Sequence, residues 1–124
     1  MRYFPFVPLE RLLPRAKAHL HHGGIGTIAH TLKAGIPQVT VPMVYDQPSN
    51  CLFLNRLNVS IDLKPKQYRA SHVAPKLAEL ISSRDVQQRC QDYAQRIRQS
   101  NPLEHCCEVL EALGEGKPTP RREG

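Results

Sequence analysis

The fold is decided by residues 21–27, which read HHGGIGT, and by the stretches AGIPQ at 34–38 and DQPSN at 46–50. Glycines permit backbone angles that other residues avoid, so the first stretch marks a tight turn. A strand pattern precedes this turn, and a helical pattern follows it. The second stretch stops that helix and leads into another strand, and the third is a polar loop after that strand. The chain therefore predicts strand, glycine turn, helix, strand and loop in this order.

The same alternation continues towards the end of the chain. Strands are predicted at residues 17–21, 38–43 and 59–63, and helices at 27–33, 48–57, 71–81, 85–99 and 103–113. Strands that alternate with helices form a parallel sheet with right-handed crossovers. About three strands are few for such a sheet, since dinucleotide-binding folds hold about five or six. We therefore expect an α/β fold: a three-layer, Rossmann-like parallel sheet that is incomplete and has a helical C-terminal end.

The sequence also predicts features of two helices and of the C-terminal tail. Leu52, Phe53 and Leu57 follow Pro48 at helical spacing, which predicts an apolar helix face. Ser71 is predicted to cap the next helix. Residues 1–113 are interpreted as one partial domain, and the Gly-, Pro- and charge-rich tail 114–124 as disordered.

The composition is that of a globular chain, with 40% hydrophobic and 23% charged residues. No apolar run approaches the roughly 20 residues of a membrane-spanning helix, and prolines near the start argue against a signal peptide. The four cysteines lack the spacing of a disulfide framework or zinc site, so we expect free thiols in a reducing cytoplasm.

The formal net charge of +6 favours an anionic partner without choosing among nucleotide, nucleic acid and membrane surface. The basic residues are spread along the chain, and four Tyr, three Phe and no Trp provide no stacking platform. We therefore expect no nucleic-acid partner.

The glycine turn is able to hold a phosphate. The helix after it begins near Gly26 or Thr27, where free backbone N–H groups and the helix dipole favour an anion. Thr27 adds a hydroxyl donor, His22 adds a ring N–H, and Gly24 leaves the backbone accessible. The turn matches neither the GxGxxG nor the GxxxxGK[ST] fingerprint, and such turns also occur for geometric reasons alone. Both interpretations remain open on this stretch by itself.

Histidines cluster around the turn, at positions 19, 21, 22 and 30. Histidine is the commonest metal ligand. In a strand, however, His19 and His21 share one face while His22 points to the other. No carboxylate is spaced to complete a site, so we expect no metal.

Asp46 and Gln47 follow the second strand, at the edge where open parallel sheets bind ligands. A carboxylate accepts hydrogen bonds from two hydroxyls, and an amide both donates and accepts. The pair therefore suits vicinal sugar hydroxyls. A turn closed by the Asp side chain before Pro48 is the structural alternative.

Together these stretches resemble the donor-binding signature of the family 1 glycosyltransferases, which have the GT-B fold. The matching segments are FVP at 6–8, LLPR at 12–15, HHGGIGT at 21–27, AGIPQ at 34–38, Pro42 and DQPSN at 46–50. They cover roughly the first half of the chain, in the order and at the separations of the family. The pattern looks most like bacterial enzymes that glycosylate natural products, lipids or sterols, in which HHGGxGT replaces the HCGWNS of plant enzymes.

The resemblance implies a role for each motif residue. The implied diphosphate site consists of His22, Gly24, Gly26 and Thr27. Asp46 and Gln47 are implied to bind the donor sugar's hydroxyls, and the chain near Val7 to lie against the nucleotide base. His30 stands where plant and animal members carry a glutamate that holds the ribose, so it is a candidate ribose contact that departs from the family pattern.

The implied function is donor binding within an inverting glycosyltransferase that transfers a hexose from UDP or dTDP to a small-molecule, lipid or sterol hydroxyl, without a cofactor. The catalytic base is unknown and is expected in an N-terminal acceptor domain or partner subunit, so this chain alone is expected to be inactive. His22 and Thr27 are expected to stabilise the leaving diphosphate.

Other hypotheses and partners follow from the same sequence. The chain is alternatively a non-catalytic donor-binding subunit that needs a separate catalytic chain, or a basic module for RNA or anionic surfaces. A lipid acceptor would bring it near a membrane, and an exposed edge of the incomplete sheet would allow a homodimer.

Overall fold

A computed structural model of the protein describes residues 2–120. Three strands alternate with helices in the first half of it and three consecutive helices follow, with 3-10 turns at Leu13–Arg15 and Pro65–Gln67. The strands are β1 (His19–His21), β2 (Gln38–Thr40) and β3 (Ser60–Asp62). The helices are α1 (Leu9–Leu12), α2 (Ile25–Ala34), α3 (Gln47–Arg56), α4 (Ala70–Ser82), α5 (Arg84–Gln99) and α6 (Pro102–Gly114).

The three strands form one parallel sheet in the order β1-β2-β3. Leu20 is opposite Val39, which in turn is opposite Ile61. Within the described residues, β1 and β3 are the two edges of the sheet. The predicted α/β fold with a small parallel sheet is therefore confirmed.

The two faces of the sheet differ in chemistry. One face is apolar and packs against α4, where Val39, Val41, Leu63 and Leu80 are buried. Full burial of each such side chain contributes about 1.5–3 kcal/mol. A second apolar cluster joins α2, α3 and α5 through Ile28, Leu54, Val59 and Cys90. Helices thus cover both faces of the sheet.

The face beneath α2 and α3 is polar, which the sequence patterns did not predict. His21, Gln38 and Thr40 are buried there, and His19 is half-buried. Their hydrogen bonds are internal: the ring of His19 bonds Thr31 on α2, and His21 bonds Gln38. A buried polar group is tolerable when it is paired. The bond from His19 holds α2 against the sheet, and the bond from His21 joins β1 to β2.

Several element boundaries and faces differ from the predictions. Helix α2 begins at Ile25, two residues earlier than predicted. In α3 the buried residues are Cys51 and Leu54, whereas Leu52 and Phe53 are 55% and 62% exposed. The apolar side chains at 52 and 53 therefore do not belong to the core, and the buried Cys51 instead faces the glycine turn, as described below.

The predicted cap of α4 was also wrong, since Ser71 lies inside the helix and Arg69 precedes its first turn. The predicted disordered tail begins at Gly114, the last residue of α6. Residues 121–124 of that tail lie outside the described residues, so its disorder stays a prediction.

Within residues 2–120, no helix combines the length and the apolar character that crossing a bilayer requires.

The buried histidines make stability depend on pH. Burial, and then the neighbouring His21, lower the pKa of His19 from 6.5 to about 4. The unfolded chain takes up this proton near pH 6.5, but the folded chain does so only near pH 4. The free energy of unfolding is therefore expected to fall by about 1–2 kcal/mol as the pH drops through that window, and to level off below it.

Urea unfolding at a series of pH values measures this slope. His19→Asn is the matched variant, because its amide is able to bond Thr31 but does not titrate. We expect a shallower slope for this variant, and an unchanged slope would contradict the assignment to His19.

Candidate functional site

The candidate site lies at the edge of the sheet where β1 and β2 end. After β1 the chain passes through Gly23 and Gly24 into α2, and after β2 it passes through residues 41–46 into α3. Carboxyl ends of parallel strands meet at one edge, so the glycine turn and the Asp46 loop become neighbours. The structure thereby brings together two of the predicted motifs.

Gly23 fixes the first half of the site. Its φ of +90° is one that L side chains rarely adopt, and its backbone N–H donates to Nδ1 of His21 at 3.0 Å. A Cβ at Gly23 would overlap Sγ of the buried Cys51 on α3. A glycine is therefore needed both for the turn and for the close packing of α3.

The same hydrogen bond sets the tautomer of His21. Nδ1 accepts from Gly23, so Nε2 carries the proton and donates to Oε1 of Gln38 at 2.8 Å. Burial lowers the pKa of His21, which keeps the ring neutral. His21 is thus a structural support of the turn and has no free nitrogen for a ligand.

Helix α2 presents free backbone donors at its start. Gly24 is its N-cap with extended angles, and its carbonyl accepts the first helical bond from Ile28. The N–H groups of Ile25, Gly26 and Thr27 have no acceptor within the described part of the chain. No atom lies within 4 Å of a Cβ built on Gly26, so the approach to these donors is open. Three free donors and the positive end of the helix dipole favour an anion here.

His22 lies beside this helix start. It is exposed, and a Cβ at Gly24 would lie 2.6 Å from its Nε2. The ring therefore covers Gly24, which must lack a side chain to admit it. This arrangement places a ring nitrogen next to the free N–H groups of α2.

The second half of the site is the loop that leads into α3. Tyr45 has a φ of +57°, and Oε1 of Gln47 accepts from the N–H groups of Met43 and Val44 at 2.9 and 3.2 Å. Gln47 therefore uses its acceptor to hold the loop, and its Nε2 has no acceptor among the described residues. The exposed Asp46 accepts one bond through Oδ2 from Asn50, which leaves Oδ1 free for a hydroxyl.

Two residues of this arrangement were missed by the sequence analysis. Ile25 supplies the first free N–H of α2, although its side chain carries no chemical signal. Asn50 donates through Nδ2 both to Oδ2 of Asp46 at 2.8 Å and to the carbonyl of Gly23 at 3.2 Å. Its place in the DQPSN stretch was the available signal for Asn50.

His30 and Val7, the candidate contacts for the ribose and the base, make none of the hydrogen bonds of the glycine turn or the Asp46 loop. Nδ1 of His30 is 3.9 Å from Oε1 of Glu10, in a cleft of about 390 Å³ that α1, α2 and Arg98 line. Val7 lies half-buried in the extended segment before α1. No hydrogen bond of the described residues joins either of them to the glycine turn.

No group of three or more His, Cys, Asp or Glu side chains within residues 2–120 is arranged to hold a metal ion. The four cysteines are free, and Cys51 and Cys90 are buried. Burial raises the pKa of Cys90 to about 11 and also raises the pKa of Cys51. The two buried thiols therefore stay protonated near neutral pH.

Comparison with known proteins shows the family of the chain. The family described as Erythromycin biosynthesis protein CIII-like, C-terminal domain, matches residues 1–113. The chain belongs to this family, which confirms the resemblance to family 1 glycosyltransferases drawn from the motifs.

Relatives and solved structures support the same assignment. The O-mycaminosyltylonolide 6-deoxyallosyltransferase of Streptomyces fradiae is 27% identical over 97% of this chain and 29% of its own length. CalG4, the calicheamicin glycosyltransferase, is 25% identical over 93% of this chain and 30% of its own, with a TM-score of 0.82. The glycosyltransferase VinC, solved in complex with DTDP, shares the fold, with a TM-score of 0.72 at 24% identity over 79% of this chain and 25% of its own. The chain thus spans less than a third of each of these proteins.

Gly23→Ala is expected to destabilise the fold by about 2–4 kcal/mol, because the new methyl group meets Cys51 and the backbone angle is strained. Cys51→Ala on its own leaves a small cavity. In Gly23→Ala/Cys51→Ala the contact is relieved, so the double variant should lose less than the sum of the two single losses. Denaturant unfolding of all four proteins measures the coupling, and additive losses would show that the turn and α3 do not meet.

Proposed function

We propose that this chain binds the diphosphate and sugar of UDP- or dTDP-hexose, as the donor-binding part of an inverting glycosyltransferase. The hexose acceptor is a hydroxyl of a small molecule, lipid or sterol. The observation that carries the proposal is the meeting of the free N–H groups of α2 with Asp46 and Gln47 at one edge of the sheet.

The diphosphate, in this proposal, lies at the start of α2. The N–H groups of Ile25, Gly26 and Thr27 donate to its oxygens, and the Thr27 hydroxyl and the His22 ring add side-chain donors. These donors are fixed by the fold, so they are able to stabilise the charge that grows on the leaving diphosphate without rearranging. Membership of the glycosyltransferase family supports this placement.

The donor sugar lies between the diphosphate and α3. Oδ1 of Asp46 accepts from a sugar hydroxyl, and Nε2 of Gln47 donates to a neighbouring one. Gln47 was expected to donate and accept, but its oxygen is bonded to Met43 and Val44, so the proposal gives it the donor role alone.

Two further observations support a nucleotide ligand. The VinC structure was determined with DTDP, so a protein that contains a domain of this fold is able to hold a nucleoside diphosphate. The net charge of +6 also favours an anionic ligand over a neutral one. Val7 and His30 remain proposed contacts for the base and ribose.

The acceptor and the general base belong, in this proposal, to an acceptor-binding domain beyond this sequence. The proposal gives the site residues of this chain binding roles: Asp46, whose Oδ2 accepts from Asn50, binds the sugar, and His22 binds the diphosphate. The reaction needs an acceptor hydroxyl deprotonated in line with the anomeric carbon. Action without a cofactor and a cytoplasmic location stay predictions.

The test is calorimetric titration of the chain with UDP and with dTDP. We expect His22→Ala to weaken binding about tenfold, because a hydrogen bond to a charged group is lost. His105→Ala on α6 is the matched control and should bind as the unaltered chain does. If the unaltered chain binds neither UDP nor dTDP, the proposed site is overturned.

Gly26→Ala separates binding from stability. Alanine has a higher helix propensity than glycine, and apart from the backbone of α2 itself no atom lies within 4 Å of a Cβ built on Gly26, in the first turn. We expect the free energy of unfolding to rise by up to about 1 kcal/mol, while nucleotide affinity falls because the methyl group covers the free N–H groups. Unfolding and titration of one preparation measure both, and unchanged affinity would place the diphosphate elsewhere.

A further inference from the structure

We propose that Asn50 is a positioning residue, which holds the Asp46 carboxylate in the orientation that binds the sugar and ties it to the diphosphate turn. This inference rests on the proposed function. Its basis is that one side-chain NH₂ group reaches both halves of the site: Nδ2 lies 2.8 Å from Oδ2 of Asp46 and 3.2 Å from the carbonyl of Gly23.

Asn50 uses the donor capacity of this group fully. An amide nitrogen carries two hydrogens, and the two acceptors are 27 and 4 residues away along the chain. The bond to Asp46 reaches the residue that precedes α3, whereas the bond to Gly23 crosses to the turn before α2. The bond to Gly23 is partly buried, so competition from water is reduced there, whereas the bond to Asp46 is exposed to solvent.

Asp46 needs this support because a second position is open to its carboxylate. Aspartate just before a helix usually accepts from a backbone N–H of the first turn. Here Pro48 has no N–H, Gln47 donates to the carbonyl of Val44 at 3.3 Å, and Ser49 has no acceptor among the described residues. Asp46 nevertheless makes no cap bond, and its backbone has helical angles, φ −78° and ψ −13°. The bond to Asn50 holds the carboxylate away from the Ser49 N–H.

The two halves of the site should respond unequally to loss of Asn50. The glycine turn has two other supports, the bond from Gly23 to His21 and the packing of Gly23 against Cys51. The Asp46 carboxylate has no other partner among the described residues. Removing the Asn50 amide therefore releases the sugar-binding carboxylate and leaves the diphosphate donors in place.

The experiment compares ligands with and without the sugar, by titrating the chain with UDP-glucose and UDP and with dTDP-glucose and dTDP. For Asn50→Ala we expect affinity for the nucleotide sugar to fall about tenfold and affinity for the nucleoside diphosphate to change less than about twofold. Asn50→Ser, whose hydroxyl is too short to reach both acceptors, should show the same pattern if Asn50→Ala fails to fold.

Asn55→Ala is the matched control. Asn55 is also an α3 amide with two bonds, to Asp62 and Ser60, but both lie at β3. Its loss should lower the melting temperature while leaving the ratio of the two affinities unchanged. In an Asp46→Ala background, Asn50→Ala should no longer change that ratio, since the group that it positions is absent.

The outcomes separate the two proposals. If the unaltered chain binds neither class of ligand, the proposed function fails and the role of Asn50 fails with it. If the unaltered chain binds both, but Asn50→Ala weakens them equally or weakens neither, donor binding stands and the positioning role is overturned.

Discussion

The close contact between Gly23 and α3 is the constraint on which the site depends. Gly23 turns the chain from β1 into α2 and has no side chain to keep Cys51 away. Helix α3 is therefore able to pack against the turn, which places Asp46 and Asn50 beside it. The free N–H groups of α2 and the carboxylate of Asp46 are neighbours because of this one missing side chain.

The polar side chains on the sheet face beneath α2 and α3 also support the contact between Gly23 and α3. His21 is neutral and accepts from Gly23, and Gln38 in turn accepts from His21. The Nε2 of Gln38 is buried without a partner, although unpaired buried donors are costly. If the side-chain amide of Gln38 were flipped, its NH₂ group would face the Nε2–H of His21, and two donors would meet. The hydrogen bond from His21 to Gln38, which supports the turn, is therefore kept at the cost of one unpaired donor.

Much of the fold was predictable because it depends on local periodicity. The β-branched run of β2, the glycine after α2 and the proline at the start of α6 mark their elements directly, and the motif order identified the family. The buried side of α3 was not predictable, because the contact that turns Cys51 inwards joins residues that are distant in sequence. The positions of His22 and Asp46 followed from motifs, whereas the role of Asn50 depends on a carbonyl 27 residues away that no local pattern encodes.

The glycine turn is shaped by hydrogen bonds to His21 and Asn50 and by packing against Cys51, all of them contacts within the protein. The orientation of the α2 donors is consequently established when the chain folds and does not have to be acquired from a ligand. Binding to such a preorganised surface loses little conformational entropy of the protein. For the proposed donor complex, the ordering of the nucleotide, the sugar and their water would then dominate the entropic cost of recognition, and association would need no preceding rearrangement of the turn.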